Sequence, residues 1–245
     1  MTTTVLTRAG AAPRTRLSWP AVLALHLLPA AVTFVAALAF GPVVRAWHLP
    51  PQFALTLAFA LVLTPIELGL LLRAAGWSWR GLPGILAFRR RLPLRLYLTI
   101  LPCLIAMAFG LVILLAPVEH RILDVYPAAW LLPSDPGAFP VWTMVATLAF
   151  ALVVDGLVNP AVEELYFRAY LLPRLPVRGA LAVVTSAGLF AAQHYWQPER
   201  FLFVFAAQLV LIAVMLRVRS VWISIAAHCL TNSLAILLAL AAVLA

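Results

Sequence analysis

Seven long runs of apolar residues alternate with short polar segments along the chain. The runs cover roughly 20–44, 52–72, 96–118, 141–172, 181–197, 201–217 and 220–244. A membrane-spanning helix needs about 20 apolar residues, and lipid leaves an isolated segment no way but a helix to satisfy its backbone. The runs also lack the alternating pattern of barrel strands. The pattern therefore predicts an all-α protein, a polytopic transmembrane helical bundle of about seven spans.

The composition favours lipid as the solvent of this chain. Hydrophobic residues make up 65% of it and charged residues only 10%, whereas a soluble domain carries roughly 25% charged residues. The two cysteines, Cys103 and Cys229, both lie inside apolar runs. We therefore expect neither a disulfide framework nor a thiolate zinc site.

Charge is distributed unevenly between the two sides of the predicted bundle. The net charge is +9, and all 17 basic residues are arginines. Because they flank apolar runs instead of covering one polar face, nucleic acid is not an expected partner. With the N-terminus inside, the inner segments hold Arg8, Arg14, Arg16, Arg73, Arg80, Arg89, Arg90, Arg91, Arg95, Arg168, Arg174, Arg178, Arg217 and Arg219, and the outer segments hold Arg45, Arg121 and Arg200. This asymmetry follows the positive-inside rule.

Three regions follow from this pattern. We expect a cytoplasmic segment at 1–19, helices and loops without a recognised motif at 20–140, and core helices that carry the chemistry at 141–245. The arginine-rich loop 73–95 is either an ordinary cytoplasmic loop or a segment lying along the membrane surface. Arginine without lysine, beside much alanine, leucine and valine, indicates a GC-rich bacterial genome, so the expected location is the bacterial cytoplasmic (inner) membrane.

Charged residues inside membrane spans are informative because each costs about 2.5–3.5 kcal/mol on insertion scales. The fourth run carries Glu163, Glu164 and Arg168 after an Asn159-Pro160 pair. Glu164 and Arg168 are four residues apart and can pair on one helix face. Glu163 points about 100° away and is the better candidate for an acid or base. A purely structural ion pair at a helix end is the alternative reading.

Two further polar clusters occur in later runs. Phe190 and His194 lie on the predicted fifth helix, and His228 and Asn232 share a face of the seventh at a spacing of four. Each cluster could instead be a hydrogen-bonded core contact or a link between helices. At about 1.5 Å per residue, all of these side chains reach similar depths and can meet. The 32 residues of 141–172 exceed one straight span, so we expect tilt or a break near Asn159-Pro160.

The ordered trio of motifs resembles the CPBP family of CAAX prenyl proteases and bacteriocin-processing enzymes, also called ABI proteins. The pattern is Glu-Glu-x-x-x-Arg, then Phe-x-x-x-His, then His-x-x-x-Asn, over about 155–235. The resemblance implies an intramembrane endopeptidase in which Glu163 and His194 activate water, and His228 and Asn232 stabilise the oxyanion. Glu164, Arg168 and Phe190 would support the geometry. We expect the site to open toward the cytoplasm.

The resemblance leaves the metal question open, because this family has been described both as metalloproteases and as glutamate peptidases. Glu163, His194 and His228 could form a zinc site with one open position. The metal-free glutamate mechanism is favoured, without a cofactor.

The expected partners are membrane lipid and a membrane-associated or leader-bearing peptide or protein. A non-catalytic immunity or binding protein is the alternative, and a proton-coupled transporter the weaker third possibility. The oligomeric state, the cleavage site and any use of prenylated substrates cannot be read from the residues.

Overall fold

The computed structural model describes residues 15–125 and 138–245. The expectations for Arg8 and Arg14 therefore lie outside the described residues. The elements are α1 (Trp19–Ala46), α2 (Gln52–Ala74), the short α3 (Leu82–Ile85), α4 (Leu94–Val125), α5 (Val141–Arg174), α6 (Gly179–Ala192), α7 (Phe201–Val218) and α8 (Val221–Leu244). Within the described ranges the only β-type pairing is an isolated bridge between Arg89 and Ser220. The all-α prediction is confirmed.

Six of these helices are long and apolar enough to cross a membrane. One of the six is α7, whose span is counted together with the preceding 3-10 turn Pro198–Arg200. The helix of the fifth run, α6, is shorter, with 14 residues. Large apolar side chains on the outside of the bundle are exposed, among them Val35, Leu98 and Ile113. Such surfaces are stable in lipid and costly in water. The chain is therefore a multi-pass membrane protein.

The long helix α5 is continuous through Asn159-Pro160. Its α-helical parts Val141–Val153 and Asn159–Glu163 are separated by the π-helical turn Val154–Val158, and a second π-helical stretch covers Glu164–Leu171. A π turn adds a residue and re-aims the side chains that follow. It also gives room to Pro160, whose ring would clash with the preceding turn of a regular helix. In place of the expected break, α5 has a locally wider helical turn before Pro160 and remains continuous.

The helices contact one another around a closed ring in the order α1, α2, α5, α8, α4, α7, α6 and back to α1. Because successive helices run in opposite directions, the connections fall at two ends. We call the end formed by 15–18, 75–93, 175–178 and 219–220 the arginine-rich end. We call the end formed by 47–51, 119–125, 138–140 and 193–200 the far end.

The loop between α2 and α4 packs into the arginine-rich end. Leu86, Ala87 and Leu92 are buried there. The Ala87 N–H donates to the carbonyl of Ala169, and the Val221 N–H donates to that of Phe88. This loop therefore covers the end of the bundle. Trp77 and Trp79, nearer the start of the loop, are exposed, so the alternative that this part of 73–95 lies along the membrane surface stays a prediction.

Candidate active site

The two adjacent glutamates of α5 lie in the interior of the bundle. Glu163 is 4% exposed and Glu164 is fully buried. Glu163 ends an α-helical turn and Glu164 begins the π-helical stretch. The two side chains consequently leave the helix in different directions.

Glu164 and Arg168 form the buried ion pair that their spacing predicts. Arg168 Nε lies 3.5 Å from Glu164 Oε2, and neither side chain is exposed. The guanidinium also donates to Gln208 Oε1 at 2.5 Å and to Ser186 Oγ at 3.2 Å. Its central carbon stands 4.4 Å from the ring centre of Phe190. Arg168 therefore ties α5 to α6 and α7 and compensates a buried charge, which would otherwise be costly.

His228 of α8 lies against both glutamates. Its Nδ1 is 3.1 Å from Glu164 Oε1, and its Nε2 is 4.0 Å from Glu163 Oε2. The sequence did not predict that Glu164 would contact His228 directly. Glu164 thus contacts Arg168 on one side and His228 on the other. Its contact with Nδ1 orients the imidazole, so that Nε2 points toward Glu163.

His194 lies two residues beyond the end of α6, and not on that helix as expected, because α6 ends at Ala192. Its Nδ1 is 2.8 Å from the carbonyl oxygen of Phe190. Its ring centre is 5.1 Å from that of Phe190, which in turn is 6.1 Å from that of His228. The backbone contact occupies Nδ1 and leaves Nε2 for other partners. Phe190 is the apolar spacer that both imidazoles contact.

Asn232, one turn beyond His228 on α8, donates from Nδ2 to the backbone carbonyl of Asp155 at 3.0 Å. A side-chain amide carries two N–H donors and one acceptor. The contact with Asp155 fixes the amide and leaves its second N–H. The side-chain amide of Asn232 is therefore fixed in orientation, with one N–H donor available one helical turn from His228.

A cavity of about 660 Å³ brings the four expected catalytic residues together. Glu163, His194, His228 and Asn232 all contribute to its wall, as does Phe190. Glu164 and Arg168 do not line it and lie behind His228. Apolar side chains of α4 and α7, including Leu104, Met107, Ala108, Phe203, Val204 and Leu211, complete the wall.

The cavity does not open where the sequence led us to expect. Its lining reaches Leu123, Gln197, Glu199 and Arg200, which belong to the far end. Its lining contains none of the residues of the arginine-rich end. The expectation that the cavity opens at the arginine-rich end was therefore wrong, because the loop between α2 and α4 packs into that end. Which end faces the cytoplasm stays a prediction.

Five polar residues near the site, four of them buried and Asp155 half-buried, were not predicted as site residues from the sequence. Asn159 lies within hydrogen-bonding reach of Glu163 and accepts from Thr64 Oγ1 at 3.0 Å. Thr56 Oγ1 donates to Asp155 Oδ2 at 2.6 Å. Glu67 on α2 is fully buried and interacts electrostatically with Glu163 and Arg168, yet neither of its oxygens has a hydrogen bond.

A zinc site was the alternative use of Glu163, His194 and His228. Within residues 15–125 and 138–245, the His, Cys, Asp and Glu side chains form no group of three that could hold a metal ion. In this arrangement His228 is instead engaged by Glu164, and Phe190 contacts both imidazole rings.

A buried Glu-Glu-Arg network, two imidazoles and a side-chain amide are thus gathered around one cavity of a multi-pass membrane protein. Residues 145–234 match the family described as Type II CAAX prenyl endopeptidase Rce1-like. This range contains all three motifs, so the resemblance to the CPBP family is confirmed there. No curated protein and no solved structure matches the chain. The matched region is thus similar to that of a family of CAAX prenyl endopeptidases.

Proposed function

We propose that this protein is an endopeptidase that cleaves a membrane-associated or leader-bearing peptide with a water activated by Glu163. The observation that carries the proposal is the convergence of Glu163, His194, His228 and Asn232 on the wall of one cavity. Three distant parts of the chain supply these side chains. A core that needed only packing would fill such a space with apolar groups, because buried polar groups are costly.

In the proposed reaction, Glu163 is the base. A carboxylate taken out of water is a stronger base than one in solution. It accepts a proton from water while the water oxygen attacks the carbonyl carbon of the scissile peptide bond. His194, whose Nδ1 is held by the Phe190 carbonyl, positions that water through Nε2. The proton held by Glu163 then passes to the departing amine as the carbon–nitrogen bond breaks.

The negative charge that develops on the carbonyl oxygen needs donors. In its doubly protonated form, His228 directs Nδ1–H to Glu164 and keeps Nε2–H for the oxyanion. Asn232 offers its second N–H one turn away. Donors fixed in a site that excludes water stabilise such a charge strongly. Glu164 and Arg168 act through His228 as positioning residues.

The decisive test is Glu163→Gln, with Asp124→Asn as the matched control. Both changes convert a carboxylate to an amide, but Asp124 is exposed at the end of α4. We expect Glu163→Gln to lower cleavage of a membrane-peptide library by about 10²–10⁴-fold, the usual contribution of a general base. Full activity of this variant would overturn the assignment. Peptide binding without cleavage by the wild-type protein would favour the non-catalytic alternative.

The histidine tests are His194→Gln and His228→Gln, with His120→Gln as control because His120 is exposed on α4. Both site variants should lose cleavage and keep membrane insertion, whereas the control should retain both. Asn232→Ala should reduce the rate by about 10²–10³-fold, as expected for the loss of one oxyanion donor. A variant that keeps full activity removes its residue from the mechanism.

We favour metal-free catalysis over the zinc-dependent version of the same protease. The engagement of His228 by Glu164, and the lack of a three-residue metal-binding group in the described parts of the chain, support this choice. Activity should survive extended incubation with a strong chelator. Loss on chelation with recovery on added zinc would establish the metal-dependent version.

The proposed location is a bacterial cytoplasmic membrane, with the N-terminus inside. The arginine asymmetry supports this orientation. The proposed substrate is a peptide or protein held at the membrane.

A further inference from the structure

The two ends of the bundle differ in how they are closed. At the arginine-rich end, Tyr166, Phe167, Leu171 and Leu172 of α5 pack in the hydrophobic core together with Leu86. Backbone hydrogen bonds between the α2–α4 loop and both α5 and α8 hold this layer in place. Interiors packed in this way have few voids as large as a water molecule. No described path leads through this layer to Glu163.

The far half of the bundle contains the cavity. At about 1.5 Å per residue, Glu163 lies about 16 Å along α5 from Arg174. The walls continue from there past Asp155 and Thr231 to Gln197 and Arg200. The carboxylate of Glu119 lies 3.6 Å from Arg200 Nε and joins α4 to the turn before α7 at this mouth. Water and substrate therefore have their route at the far end.

The orientation of the bundle then decides which compartment this route reaches. Apart from the buried Arg168, the arginines of the described residues divide unequally between the ends. Arg16, Arg73, Arg80, Arg89, Arg90, Arg91, Arg95, Arg174, Arg178, Arg217 and Arg219 lie in the arginine-rich end or next to it, whereas Arg45, Arg121 and Arg200 lie in the far end or next to it. Short loops rich in arginine stay in the cytoplasm. The mouth consequently faces away from the cytoplasm.

We propose that the site is entered from the non-cytoplasmic face, so that its substrate is a polypeptide segment exposed on that face next to the membrane. The statement that a polypeptide is cleaved rests on the proposed function. The statement about the side on which the cavity opens does not. It places cleavage after export or insertion of the substrate, and it excludes the C-terminal segment of a cytoplasmic protein as substrate.

Single cysteines in a Cys103→Ser/Cys229→Ser background test the direction of access. Thr231→Cys reports the cavity wall, Gln197→Cys the mouth and Arg80→Cys the arginine-rich end. Ala213→Cys is the control, because Ala213 is exposed on the lipid side of α7. Each variant is treated with a membrane-impermeant maleimide in right-side-out and in inverted vesicles. Maleimide reacts with the thiolate, which forms only where water reaches the sulfur.

We expect the Thr231→Cys and Gln197→Cys variants to be labelled only in right-side-out vesicles, and the Arg80→Cys variant only in inverted ones. The Ala213→Cys variant should stay unlabelled in both. Labelling at position 231 in inverted vesicles, in both preparations or in neither would overturn the proposal. The readout does not need catalysis, so a protein that labels as expected but cleaves nothing would contradict only the proposed function.

Discussion

Arg168 compensates the buried charge of Glu164 and holds it against His228. Replacing Arg168 with Met should lower the free energy of unfolding by about 3–5 kcal/mol, because one partner of a buried pair is left uncompensated. Arg217→Met is the control, since Arg217 is exposed near the end of α7. Thermal unfolding in detergent measures the stability of both variants.

The double variant Glu164→Gln/Arg168→Met separates the ion pair from simple packing. Removing both charges should restore part of the stability that Arg168→Met loses, because no unpaired carboxylate remains. An unfolding temperature equal to that of Arg168→Met alone would show that the packing of Arg168 against Phe190 outweighs the ion pair.

Glu67 presents the opposite situation, a buried carboxylate whose two oxygens have no hydrogen bond. Burying such a group costs free energy that an apolar side chain of similar length avoids. We expect Glu67→Met to raise the free energy of unfolding by about 1–3 kcal/mol, and Asp124→Met to leave it unchanged. A lower stability would mean that attraction between Glu67 and Arg168 exceeds the cost of burial.

Single residues show how far the sequence could predict this site. The spacing of Glu164 and Arg168 identified their pair, and the rarity of histidine in apolar runs singled out His194 and His228. Glu67 and Asp155 carried the same signal, an isolated charge inside a span. We missed them because no motif accompanied them, and because their neighbours come from helices distant in sequence.

The helices themselves were predictable as elements, but their internal geometry was not. Length and hydropathy identified every spanning helix of the described residues, since backbone satisfaction in lipid leaves no alternative. The π-helical turns of α5 depend on tertiary packing and on the accommodation of Pro160. The end of α6 at Ala192 could not be predicted from hydropathy either, because the apolar run continues beyond it.

The crossing of α5 and α8 depends on a glycine. A Cβ at Gly156 would lie 2.9 Å from Ser233 Oγ and 3.3 Å from Leu152 Cδ1. Small residues allow such close approach between membrane helices. We expect Gly156→Val to destabilise the protein by about 1–3 kcal/mol through overpacking.

Gly110→Val is the matched control for this crossing. Gly110 is an exposed helical glycine of α4, and an added Cβ there meets no atom within 4 Å. Equal unfolding temperatures for the two variants would contradict a close approach of α5 and α8 at Gly156. Because Asn232 lies next to Ser233, cleavage activity should fall together with stability only in the Gly156 variant.

At the scale of the whole molecule, charge, packing and cavity are arranged along one axis. The arginine-rich end is filled by the α2–α4 loop and by the apolar residues of α5. The far half keeps an open interior around Glu163. The arginine count could predict the orientation, but it carried no information on which end is filled. That depends on how the α2–α4 loop folds back, which hydropathy does not encode.

The cavity is the proposed route of the substrate to Glu163. Ala207 lines it on α7, whereas Ala213 of the same helix is exposed to lipid. Ala207→Trp should obstruct the cavity and reduce kcat/KM for peptide cleavage strongly, while Ala213→Trp leaves it unchanged. Thermal unfolding of both variants checks that the fold persists. A folded Ala207→Trp variant with wild-type kcat/KM would show that substrate reaches Glu163 by another path.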